Sequence, residues 1–248
     1  MTKFLLVAAL AAASQSQAFE LATIMGQPDE SLEFVKNLVQ LKIDVISESP
    51  EMDWTTAQYS ILAREGVLST ISIGVTGESG SSSYGDLLRG YQEAEKYSGI
   101  ALVYVGPITD DVTCRAMSEA SDRMVFVVPA GSESSGIPNL PESCLSPNII
   151  RVTALNRRLD DLATFSNFGA TSIQVAAPGE NINVTLAGGK QQIRQGTTLS
   201  ASLVAARLVA FSRLHHETGI ALAQSFLNGA TYELPALKGK VQSSRAIK

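Results

Sequence analysis

The sequence predicts one large α/β domain: a mostly parallel central sheet with helices on both faces. Three observations predict it. Short runs rich in Val, Ile and Leu recur along the chain, several of them apolar without alternation, as strands buried on both faces are. Segments with helical spacing separate those runs, and strand–helix–strand alternation at this spacing signals βαβ units. Of the 248 residues, 45% are hydrophobic and 17% charged, a globular composition with a sizeable core.

The first 18 residues read as an export signal. Lys3 gives a short positive start. Phe4 to Ala13 form an apolar run too short to span a bilayer, and Ser16-Gln17-Ala18 closes it with small residues at the first and third positions. The alternative is an ordinary apolar N-terminal helix. On the export reading, the mature chain starts near Phe19 in a secretory, oxidising compartment.

Pro28 to Gln40 has helical spacing, with Leu32, Val35, Leu38 and Val39 on one side and Asp29 or Ser31 as cap. Ile43 to Ile46 reads as a short strand, and Val67 to Val75 as a longer, β-branched one. A Gly/Ser loop, Gly77 to Gly85, leads into helical spacing from Asp86 to Tyr97. Ile100 to Val105 reads as a buried strand, Asp111 to Ala120 as a helix, and Met124 to Val128 as the next strand. Ile149 to Ala154 and Ile173 to Ala176 add strands. Leu199 to Leu214 is a helix apolar nearly all round, so it belongs at the centre.

Charge and composition exclude some functions. A net charge of −5 with no basic run argues against a nucleic-acid partner, because phosphate binding needs clustered Lys and Arg. No stretch after the N-terminal run is long and apolar enough to be a transmembrane segment. No His/Cys cluster has metal-ligand spacing. The two cysteines, Cys114 and Cys144, suggest one disulfide in an exported chain; two buried thiols are the alternative. Asn183-Val184-Thr185 is a glycosylation sequon if the host is a eukaryote.

A series of seven blocks from Ser69 onward resembles the subtilisin-like serine proteases (peptidase S8), especially their proteinase K-like branch. Gly77 to Tyr84 is similar to that family's Gly-Ser loop after its "VKVLG" strand. Ile100 to Gly106 stands at the groove-lining "VINMSLGG" strand, and Val127 to Ser132 at "VAAAGN". Ser146 to Ala154 is similar to "SPASVPNVITVGA", Ala163 to Gly169 to "ASFSNYG", Ala176 to Gly179 to "APG". Gly196 to Ala206 is similar to "GTSMASPHVAG". One block alone is weak; the ordered series is specific. The resemblance implies a three-layer subtilisin-like fold over 67–248, with 19–66 a degenerate N-terminal part. It also implies pairing of Cys114 with Cys144, as in some members of the family. Calcium is a common family ligand, but no carboxylate cage can be placed in this sequence.

The family's chemistry needs a serine nucleophile, a histidine base, an aspartate that orients it, and an amide plus a backbone N–H for the oxyanion. The nucleophile position carries Thr198, whose plainer role is to begin the buried helix. The chain has only His215 and His216, and His215 follows Thr198 by 17 residues. That is roughly 25 Å along a helix, against a hydrogen-bond reach of about 3 Å. Both histidines therefore belong on a solvated helix end, where positive charge suits the dipole. Asp53, in Asp53 to Tyr59, stands near the histidine position, and Ser47 or Asp44 near the aspartate position. Asp53 would need its pKa raised by burial to serve as a base. Ser132 replaces the oxyanion amide; losing such a donor costs about 10²–10³ in rate. Pro107 and the bulky Tyr104 alter the groove strand, and proline cannot donate to an added peptide strand.

These changes together predict a secreted pseudoenzyme that acts through a protein partner, as an inhibitor, decoy or assembly subunit. A residual hydrolase using Thr198 is the alternative, and a decayed gene copy without a settled role is a third.

Overall fold

The computed structural model describes residues 21–25, 50–67, 70–74, 84–96, 98–104, 111–120, 122–136, 145–186 and 189–247. Strands β1 (Leu21–Met25), β2 (Thr70–Gly74), β3 (Ile100–Tyr104), β4 (Val125–Pro129), β5 (Ile149–Leu155) and β6 (Val175–Pro178) form a parallel sheet in the order β2-β1-β3-β4-β5-β6. A hairpin of β7 (Ile182–Thr185) and β8 (Gln191–Arg194) stands apart. At the far edge, β9 (Tyr232–Glu233) pairs antiparallel with β10 (Arg245–Ala246), which lies beside β6. The helices are α1 (Pro50–Arg64), α2 (Tyr84–Glu95), α3 (Asp111–Ala120), α4 (Thr197–His215) and α5 (Gly219–Gly229).

Strand alternation assigns the layers. Val125 and Val127 of β4 share a core cluster with Ala201, Val204, Ala205 and Leu208 of α4, Tyr59 and Leu62 of α1, and Leu222 and Phe226 of α5. Phe126, between them, faces the other side, where the Tyr91 ring of α2 meets it edge-on at 5.2 Å. So α1, α4 and α5 cover one face and α2 the other; α3 packs on α2. This is the three-layer architecture expected from the sequence.

Helix α4 is the pillar of that core. Leu199, Leu203, Val204, Leu208 and Val209 are all buried, and full burial of such a side chain contributes about 1.5–3 kcal/mol. Two buried serines in its first turns stay satisfied, one by β6 and one by its own helix. Ser200 donates to the Pro178 carbonyl at 3.1 Å, and Ser202 to the Thr198 carbonyl at 3.0 Å. The helix closes on His216 in the left-handed conformation, whose N–H bonds Ser212 O.

Most expected elements are present, with shifted ends. The strand expected at Ile173 to Ala176 begins only at Val175, because Ile173 still turns back to Gly169 O at 3.1 Å. Five strands, β1, β7, β8, β9 and β10, and two helices, α1 and α5, lie where the sequence predicts none. Leu21–Met25 pairs with β2 on one side and β3 on the other, and so sits inside the sheet. The 19–66 part thus supplies a sheet strand and the helix α1. Residues 1–18, the expected helix at 28–40 and the expected strand at 43–46 lie outside the described residues.

The Tyr91 hydroxyl is fully buried and has no hydrogen-bond partner among the described residues. Burial pushes its phenol far above the usual range. A buried hydroxyl without a partner costs about 1–3 kcal/mol, so Tyr91→Phe should raise stability by about 1 kcal/mol. A lower denaturant midpoint for the variant would show that the hydroxyl has a partner.

Candidate functional site

In open parallel sheets, functional groups collect beyond the carboxyl ends of the strands. Here that edge is formed by the end of β4, the loop after it, and the first turn of α4. The Gly131 N–H donates to Thr197 Oγ1 at 3.1 Å. The Thr197 N–H donates to Ser132 Oγ at 3.2 Å, and the two hydroxyls lie 3.3 Å apart. Ser132 thereby satisfies one of the free N–H groups at the start of α4, the task of a cap. Its side chain is tied to the helix rather than held out like a free amide.

The loop itself hangs on Asn167, whose role the sequence alone does not reveal. Asn167 is 1% exposed. Its Oδ1 accepts from the N–H groups of Glu133 and Ser135 at 3.0 and 2.9 Å. Its Nδ2 donates to Ala130 O at 3.2 Å and to Glu133 Oε2 at 2.6 Å. Behind it, the Thr153 hydroxyl donates to Asn167 O at 2.6 Å and lies 2.6 Å from Ser166 Oγ. The Ser-Asn pair within Ala163 to Gly169 was the available signal: small polar residues there read only as a block match, while their buried network organises the loop after β4.

Thr198 is half-buried in the first turn of α4. Its hydroxyl makes no hydrogen bond among the described residues. His215 and His216 are exposed at the opposite end of the same 19-residue helix. His215 stacks on Phe211 with ring centroids 3.9 Å apart. Neither histidine shares the Thr198 neighbourhood.

The two helices nearest the site keep pace with one another. Ala57 and Ile61 of α1 share a buried cluster with Leu199 and Leu203 of α4. Beyond them Glu65 bridges Arg207 at 3.1 Å. Equal steps of one turn on each helix mean that they run in the same direction. Asp53 lies in the first turn of α1, one turn before Ala57, and so at the same end of this layer as Thr198.

Other candidates are scattered. Tyr104 ends β3, and Pro107 lies outside the described residues. Ser47, Asp44 and Cys144 also lie outside them. Cys114 is half-buried in α3, and no free cysteine is present among the described residues. Asn183 is exposed in β7. Among the described residues no helix is long and apolar enough to cross a membrane, and no group of three or more His, Cys, Asp and Glu could hold a metal ion.

No protein-family model and no curated protein matches this sequence. Solved structures do match the fold. A cold adapted subtilisin-like serine proteinase superposes with a TM-score of 0.66 at 17% identity, over 94% of this chain and 90% of that one. A lanthipeptide protease superposes with a TM-score of 0.68 at 15% identity, over 93% and 86%. The A-subunit of the AB5 toxin from E. coli superposes with a TM-score of 0.66 at 17% identity, over 93% and 91%. At such identities the likeness establishes the fold: the protein has the subtilisin-like architecture.

Proposed function

We propose that this is an exported protein of subtilisin-like fold that no longer cleaves peptides and acts by binding another protein or as a subunit of an assembly. The observation that carries the reading is the isolation of Thr198. Its hydroxyl has no hydrogen-bond partner among the described residues, and both histidines of the chain lie at the far end of its helix. A hydroxyl nucleophile needs an adjacent base. Ser132, whose hydroxyl accepts from the Thr197 N–H, is shorter than an amide side chain and has a single proton to donate, which makes it a poorer oxyanion donor. One of the similar structures is described as the A-subunit of an AB5 toxin, which lends support to a subunit role. A Cys114–Cys144 disulfide belongs to the export reading.

A residual hydrolase is the second reading, favoured by one observation: Asp53 and Thr198 stand at the same end of two helices that run side by side. A fluorogenic peptide panel with the purified chain separates the two. The expected result is turnover at the buffer level for the parent, Thr198→Ser and Thr198→Ala alike. Turnover that Thr198→Ala abolishes would establish the hydrolase and end the non-catalytic reading.

A further inference from the structure

The β7–β8 hairpin has one face against the protein and one in solvent. Val184 is buried in the cluster that holds Ala57 and Leu199, and Ile182 packs against it. Alternation along the strand therefore turns Asn183 outward, and Asn183 is exposed. Its cross-strand partner is Ile193, so the two share the outward face. Ile193 is 65% exposed, on a strand whose Gln191 and Gln192 are also exposed. Asn183 opens the only Asn-x-Ser/Thr sequon in the sequence.

We propose that Asn183 carries an N-linked glycan whose first sugar lies across Ile193. The proposal rests on the export reading above and on a eukaryotic source for the chain. The Asn183 carboxamide nitrogen attacks the anomeric carbon of a lipid-pyrophosphate-linked oligosaccharide. A carbon–nitrogen bond forms, the carbon–oxygen bond to the pyrophosphate breaks, and the pyrophosphate leaves with the electron pair while the amide proton passes to a base. In the folded hairpin the Thr185 hydroxyl accepts from Gln191 Nε2 at 2.8 Å, so the transfer takes place on the emerging chain, before that contact forms.

The fold accommodates the product. Arg64 donates to the backbone oxygen of Asn183 at 2.9 Å, and the Thr185 N–H donates to Ser60 Oγ at 3.1 Å. Both contacts tie the hairpin to α1 through groups other than the Asn183 carboxamide. A sugar there covers apolar surface that is otherwise left to water.

The test is expression of the full chain in a eukaryotic secretory host behind a heterologous leader. Peptide N-glycosidase should produce a single downward mass step, lost in Asn183→Gln and in Thr185→Ala and kept in Thr185→Ser. Secreted protein that shows no step overturns the site. For the masking, Asn183→Gln should be retained longer than the glycosylated parent on a hydrophobic-interaction column, and adding Ile193→Thr should remove the difference. Equal retention of Asn183→Gln and parent overturns the contact with Ile193. Parallel expression with the chain's own residues 1–18 as leader separates the premises: glycosylation behind the heterologous leader, with the protein retained in the cell behind its own, would sink the export reading alone.

Discussion

Gly219→Ala is expected to destabilise the protein by about 3–5 kcal/mol, combining a strained left-handed backbone with overpacking. Gly219 starts α5 at φ +54°, a conformation that disfavours any side chain. An added Cβ would stand 1.9 Å from Asp122 O and 2.8 Å from Arg123 Cα. Both atoms belong to backbone just before β4, so no side-chain rotation relieves the contact. Helix α5 must move, and with it the buried Leu222 and Phe226 lose their place in the core. For a chain of this size the loss corresponds to a melting temperature lower by about 10 °C. Gly229→Ala is the control: its Cβ would meet Phe211 at an ordinary 3.6 Å. Equal melting temperatures for the two variants would mean that α5 is not seated on the Asp122 carbonyl.

Gly179→Ala should cost about 3 kcal/mol and disturb the site directly. Its Cβ would lie 2.2 Å from Ser200 Oγ and 2.5 Å from Ala154 Cβ. The Ser200 hydroxyl is engaged with Pro178 O, and Ala154 is fixed in β5. The Gly179 carbonyl also accepts the Gly196 N–H at 2.9 Å, just before Thr197 and Thr198. Pushing β6 and α4 apart therefore strains the point where α4 begins and the Ser132–Thr197 pair that holds it. Urea unfolding reads the stability loss. Adding Ala154→Gly opens the tightest fixed contact and should recover part of it. Additive losses in the double variant would place the strain elsewhere.

Much of the fold was legible because the core strands repeat a pattern that needs no partner to be recognised. Ile100 to Tyr104 and Val125 to Pro129 are short apolar runs between helical segments, and α4 is apolar nearly all round. The block series added order, and the superposed structures bear out the fold. What was not legible has physical causes. Leu21–Met25 is a five-residue run that directly follows the apolar N-terminal segment, and its strand pairings lie far along the chain. The β7–β8 hairpin gives no strand signal in the sequence, since β8 is largely exposed and carries no apolar alternation.

The candidate site divides the same way. The sequence by itself determined where the two histidines stand: His215 and His216 follow Thr198 by 17 and 18 residues. A helix rises by a fixed amount per residue, so sequence separation within it is distance. Only the tertiary structure decided which residues stand around the start of α4. Asn167 holds the loop after β4, Ser132 meets the start of α4, and α1 brings Asp53 to the Thr198 end of the layer. Those contacts join residues distant in sequence, and hydrogen-bond geometry between such residues is set by how the sheet and helices pack.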